Sequence, residues 1–191
     1  MTNFDLYLFG ATAVGFFVYL INFILYKKSH RWTIDPIVTI VPLLGGSLGI
    51  LIGILIFDPK PAKDDMMSRV FLACVLVVQI IIVLIVKGVI TENITLNFLA
   101  FFRSHKWLIW YLVAINVLAI ILFGVDKINA IENRSRIRIV TLLGVAFIGG
   151  SFGSLLAMYL FRHKTKQDYF TTGIPLIMGM QAILLFYLMN V

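Results

Sequence analysis

Six stretches of this chain are apolar over close to 20 residues each, and that length leaves few folds open. A hydrocarbon core about 30 Å thick takes about 20 helical residues to cross. In lipid each backbone N–H and C=O must find a partner within the protein, so segments of this length cross as helices. The runs are Leu6–Tyr26, Ile37–Phe57, Val70–Val86, Trp107–Val125, Ile139–Phe161 and Gly173–Met189. The second is interrupted by Pro42 and glycines, and the third is rich in Val and Ile. Alone, the third would pass for a buried strand, but its length and neighbours make it a span. The expected fold is an all-α, polytopic membrane protein with about six transmembrane helices.

Composition supports this. Of the 191 residues, 61% are hydrophobic and 13% charged, with a mean hydropathy of +1.00. Soluble domains carry about 25% charged residues. The net charge of +7 gathers at the ends of the runs, which suits lipid head groups and excludes nucleic acid as partner. The sequence therefore predicts a multi-pass protein of the cell membrane whose partners include membrane lipids. The first run follows residues without Lys or Arg and is too long for a signal peptide, so it is expected to stay as a span. Between residues 91 and 106 lies a mixed segment read as an interfacial linker along the membrane. It separates a first repeat, 1–90, from a second, 107–191.

The repeat rests on a shared sequence. Residues 43–57, LLGGSLGILIGILIF, align without gaps with 147–161, FIGGSFGSLLAMYLF. Gly45, Gly46, Ser47 and Gly49 meet Gly149, Gly150, Ser151 and Gly153. Outside the runs Lys60 meets Lys164, Asp64 meets Asp168, and with one gap Arg31 and Ile34 meet Arg136 and Ile139. Gln79 falls near Gln181. Three spans per half would insert the second half upside down, the plan of two inverted three-helix repeats known from transporters. Basic residues specify orientation weakly under that plan, nine on one side against seven on the other, with both ends outside. The small residues at four-residue spacing suit close helix packing, and the second and fifth spans are expected to cross through them. The competing reading is that the glycines break the helix and offer backbone groups to a ligand.

Asn116, Asp126 and Lys127, then R-x-R-I at Arg136–Ile139, then GGS-x-G, then YLFRHKT at Tyr159–Thr165 form a pattern. It resembles the bacterial membrane family called domain of unknown function 1294, over about residues 107–189. The resemblance implies a short helical membrane domain of unsettled activity, sometimes fused to a nucleic-acid-binding cold-shock domain; no such fusion is expected here. Val140 and Thr141 stand where that family tends to carry an acidic residue. The first half looks like a degenerate copy. Lys27 and Lys28 stand where Asp-Lys would, and Asp58-Pro59-Lys60-Pro61 replaces Arg-His-Lys-Thr. Chemistry is therefore expected in the second half.

Two polar sets are candidates. Arg162, His163, Lys164 and Thr165 could bind a phosphate or carboxylate, with His163 as a proton donor; the plainer reading is a basic span end against lipid phosphates. Asp126 and Lys127 open the loop before the fifth span. That loop and Arg162 are expected at opposite ends of the span, so Asp126 and His163 are not expected to meet within one half unless an antiparallel partner brings them together. At membrane depth Gln79, Asn116 and Gln181, with Ser47, Ser151 and Ser154, either line a polar path or bond across helices. Each acidic residue is placed at a span end or in a loop, which weighs against a proton pump. His30, His105 and His163 fall in separate segments without metal-ligand spacing, the single Cys74 forms no pair, and no cofactor fingerprint is evident. No metal and no cofactor are expected. Three functions remain: a small transporter or channel, a structural or accessory membrane protein, and a membrane-bound enzyme acting on a lipid or phosphorylated head group. Ligand and oligomeric state, a homo-oligomer included, are left open.

Overall fold

The structure is a computed structural model, and it describes residues 2–28, 35–89 and 96–191. The positions of His30, Arg31, Ile34 and the first residues of the 91–106 linker lie outside the described residues. Among the described residues the elements are helical and no strand occurs. The chain divides into two compact units, Met1–Ile80 and Ile81–Val191.

The first unit holds α1 (Asn3–Lys28), α2 (Asp35–Val41), α3 (Ser47–Phe57) and most of α4 (Met66–Val86). The second holds α5 (Phe98–Ser104), α6 (Lys106–Ile131), α7 (Ile139–Val145), α8 (Ser151–Leu160), α9 (Asp168–Thr171) and α10 (Gly173–Met189). Among the described residues six helical segments are long and apolar enough to cross a membrane: α1, Val38–Phe57, α4, α6, Ile139–Leu160 and Asp168–Met189. The protein is an integral membrane protein by this measure. Its packing is that of a chain in lipid. Leu6, Phe9, Trp110, Phe152 and Leu160 face outward, while Ser47, Ser151, Ser154, Gly46, Gly49, Gly150 and Gly153 are buried. Lipid tails are as apolar as leucine, so large apolar side chains gain nothing by turning inward, and small residues let backbones approach.

The second and fifth segments are each broken. Val38–Phe57 is interrupted at Gly45, with φ 105°, and Ile139–Leu160 at Gly149, with φ 128°. Positive φ ends a helix with the left-handed cap that glycine adopts without steric cost. α8 then starts at once with Ser151.

In the second unit the break reverses the chain. Ile137 precedes α7 and His163 follows α8, and a straight helix would hold two residues 26 positions apart (163 − 137) separated by about 39 Å. Instead the Ile137 N–H and the His163 Nε2 both bond to the carboxylate of Asp126, at 2.9 and 2.8 Å. Along α8 the partners on α6 advance in step: Gly153 meets Asn116, Phe161 meets Gly124, and His163 meets Asp126. So α8 runs parallel to α6, and α7 runs back against it. The tip, at Gly149, lies beside Asn116, whose Nδ2 donates to the Gly149 carbonyl at 3.0 Å. Asn116 and Asp126 are ten residues apart, which sets the hairpin depth at about 15 Å, half the hydrocarbon core. The expectation that the 126–138 loop and Arg162 sit at opposite ends of a span is corrected: they share one end.

The first unit follows the same local plan. Gly49 packs on Thr12, Gly53 on Tyr19 and Phe57 on Phe23, so α3 runs parallel to α1. An added Cβ at Gly49 would lie 1.9 Å from the Thr12 carbonyl oxygen, and one at Gly153 would lie 2.3 Å from that of Asn116. The two glycine sets are thus used inside their own units, against α1 and α6. That accounts for Gly49 and Gly153 as packing positions and for Gly45 and Gly149 as breaks, with Gly46 and Gly150 buried behind them. Tyr7 donates to the Leu44 carbonyl and Tyr111 to that of Ile148, so α1 aligns with α6 at a shift of 104 (111 − 7). Asn22, rather than Lys27, therefore stands at the place of Asp126.

Candidate functional site: a buried carboxylate at the hairpin base

Asp126 lies within α6, which continues to Ile131, and its side chain has no exposed surface. Placing it in a loop is corrected on this ground: the helix runs one and a half turns further than the apolar run. α6 ends where Asn133 takes φ 54° and the Arg134 N–H reaches back to the Asn129 carbonyl at 2.9 Å, a left-handed cap that Asn tolerates. The chain then turns back, and the Ile137 N–H comes to one Asp126 oxygen at 2.9 Å.

The other oxygen receives two side chains from the far arm of the hairpin. His163 Nε2 and Lys164 Nζ each stand 2.8 Å from Asp126 Oδ2. Consecutive residues reach one atom because the backbone between them is bent twice to the left-handed side, with φ 46° at Arg162 and 62° at Lys164. Arg162 sits in the cap after α8: its N–H donates to the Tyr159 carbonyl, and the His163 N–H to that of Met158. Glycine is the usual residue there, and a side chain in this region costs about 1–2 kcal/mol. Beneath the ion pair, the Phe123 and Phe170 rings meet edge to face with centroids 5.6 Å apart, and both are fully buried. Lys164 Nζ lies 5.0 Å from the Phe170 centroid, a cation–π contact. The cluster is thus a staple. One carboxylate holds both ends of the hairpin to α6 over an aromatic floor.

The remaining sequence-predicted residues divide cleanly. Arg162, Thr165 and Lys166 are exposed, as are Arg136 and Arg138, while Lys127 is half-buried. Arg162 and Lys127 do not join the cluster. The intramembrane amides sit at the other end of the hairpin, at its tip. Asn116 donates to Leu112 and Gly149 carbonyls and accepts from the Gly153 N–H at 2.6 Å. Gln181 donates to the Ala146 and Phe147 carbonyls, at 2.8 and 2.9 Å, and accepts from the Ser151 hydroxyl. In the first unit Gln79 does the same for the Pro42 carbonyl and Ser47. These side chains bond to backbone at the breaks, a role between the two expected for them. The Ser154 hydroxyl is buried without a partner. Sequence reading missed Phe123 and Phe170; the pair carries no signal beyond apolarity. Among the described residues no group of three His, Cys, Asp or Glu could hold a metal.

In the first unit the base of the hairpin is held differently. Arg69 of α4 reaches the Asp58 carboxylate at 2.7 Å and the Asp58 carbonyl at 2.9 Å.

A family model described as Protein of unknown function (DUF1294) matches residues 116–170, a stretch that runs from the amide at the tip through the staple to Phe170. The uncharacterized protein YsdA of Bacillus subtilis (strain 168) is 40% identical over 75 residues, which are 39% of this chain and 84% of YsdA. No solved structure matches the chain.

Proposed function

The chain belongs to the family described as Protein of unknown function (DUF1294), and on that footing we propose that it is a structural or accessory protein of the cell membrane. The observation that carries this reading is the state of the helix break. A break serves a ligand by offering free carbonyls or amides. Here the carbonyls of Ala146, Phe147, Ile148 and Gly149 each already accept a bond from Gln181, Tyr111 or Asn116 of the same unit. The Asp126 carboxylate is likewise occupied by three donors. A depression along α8, lined by Phe152, Leu155, Leu156, Tyr159 and Leu160, is apolar and suits lipid tails rather than a solute. A helix break whose carbonyls are already bonded within its own unit offers a solute little, which leaves the shape and surface of the chain to act.

Transport is the second reading, and one observation favours it: glycine-broken segments recur at corresponding places in the two halves, as in repeat-built transporters. Reconstitution of the full chain in liposomes separates the two. The accessory reading expects no flux of protons, monovalent ions or small anions above protein-free liposomes. It also expects Gln181→Leu to lower thermal stability by about 1–2 kcal/mol, from interhelical bonds worth about 0.6 kcal/mol each in membranes. Flux that disappears in Gln181→Leu while the fold persists establishes transport instead.

A further inference from the structure

We infer that α7 and α8 form a re-entrant hairpin that enters and leaves the bilayer on one side, and that the basic face this creates docks on the phosphates of anionic phospholipids. The hairpin base is fixed by three bonds to one carboxylate, and its tip by Asn116 at about half the depth of the hydrocarbon core. A segment that goes in about 15 Å and returns makes no crossing. Lipid tolerates such a turn where its backbone groups are satisfied by protein. The tip meets that condition through Gln181, Tyr111 and Asn116.

The consequence for charge is large. With residues 132–138 and 161–167 at one end of α6, that end gathers Arg136, Arg138, Arg162, Lys166 and Lys127 around the stapled Asp126. Arg134 is paired with Glu132, but these five have no carboxylate partner among the described residues. In the second unit seven described basic residues then share this side, Arg134 and Lys164 added to the five, against Arg103 and Lys106 at the other end of α6. In the first unit the parallel course of α3 and α1 puts Lys27, Lys28, Lys60, Lys63 and Arg69 on one side, against none in Thr2–Asp5. Each unit thus obeys the rule that cytoplasmic loops collect Lys and Arg. A hairpin that returns also removes, within each unit, the nearly balanced charge count that three crossings per half imply. Anionic lipid enriches the cytoplasmic leaflet and draws unpaired cations within a Debye length.

Two measurements on the full chain test this. Single cysteines at Ser135, Thr165 and Lys106 are labelled with a membrane-impermeant maleimide in intact and in permeabilised cells; buried Cys74 serves as the blank. The expected result is protection of Ser135→Cys and Thr165→Cys until permeabilisation, with Lys106→Cys labelled in intact cells. Labelling of positions 135 and 165 from opposite sides overturns the hairpin. Then the protein in phosphatidylcholine nanodiscs is titrated with a fluorescent phosphatidylglycerol. Association is expected to weaken about fivefold for each of Arg136→Gln, Arg138→Gln, Arg162→Gln and Lys166→Gln, and to fall with salt. Equal association with phosphatidylcholine and phosphatidylglycerol, or a signal reversed by micromolar inorganic phosphate at constant ionic strength, overturns the lipid docking.

Discussion

Replacing Asp126 with alanine removes three acceptor contacts at once, and the structure sets the size of the effect. Lys164, with 9% of its side chain exposed, keeps its charge without a partner. Breaking a buried ion pair from one side costs about 3–5 kcal/mol. The Ile137 N–H, orphaned in the same step, adds about 1–3 kcal/mol where water does not reach it. The lysine stem can turn its ammonium toward the membrane surface and recover part of this. A net loss of about 4 kcal/mol follows, or roughly 8–16 °C in Tm for a chain of this size. Asp126→Leu combined with Lys164→Met removes both charges and fills the space with apolar groups. Such exchanges are often close to neutral for the ion pair, and with the Ile137 N–H still orphaned the double variant should lose about 2 kcal/mol, half the loss of the single. Thermal unfolding in detergent, followed by tryptophan fluorescence, measures both. A single variant that loses under about 1 kcal/mol, or a double variant no better than the single, refutes the staple.

Gly153→Ala forces a methyl group onto the Asn116 carbonyl, 2.3 Å away, and should cost about 3 kcal/mol, whereas Gly144→Ala meets nothing within 4 Å and should be neutral or gain up to about 1 kcal/mol in the same unfolding assay. Arg162→Gly relieves the left-handed cap after α8 and should leave Tm unchanged or raise it by a few degrees, about 1 kcal/mol at most, even as it weakens lipid association.

The helical class was legible because about 20 apolar residues in lipid have one solution, and six such runs appear as six apolar segments. The glycines were legible as special: Gly153 sits where backbones approach closely and Gly149 breaks the helix, with the carbonyls at the break taken by the protein's own side chains. What the sequence concealed was the reversal. A helix that crosses and a hairpin that returns have the same length and hydropathy, and they differ in one φ angle at Gly149. The ends of the fifth run therefore look far apart in sequence although the Ile137 N–H and His163 side chain share a carboxylate. Asp126 was read as a loop residue because apolarity ends at Val125, while the helix runs on to Ile131. Counting apolar residues finds the membrane boundary; it does not find the end of a helix whose last turns are capped by Asn133. One signal did point the right way. Nine basic residues against seven is a poor charge bias for a membrane protein, and a poor bias is a reason to doubt the number of crossings.

The first unit offers a control for the staple, because there the end of α3 is tied to α4 by Arg69 on Asp58. Arg69 is 17% exposed and Asp58 35%, so their bond works in a wetter place than the staple. Hydrogen bonds to charged groups contribute about 1.5–3 kcal/mol, and partial exposure brings this to about 1–2 kcal/mol. Arg69→Met should therefore destabilise less than Asp126→Ala and act on its own unit. Cys74, buried in α4 of that unit and the single cysteine in the chain, reports the difference. Its reaction with a small maleimide proceeds through local opening, so a loss of 1–2 kcal/mol in that unit raises the rate about five- to thirtyfold. Asp126→Ala should change the Cys74 rate much less than it changes the global Tm. If both variants expose Cys74 equally for a given loss of stability, the two hairpins do not close independently, and the staple belongs to a single cooperative fold rather than to the second unit.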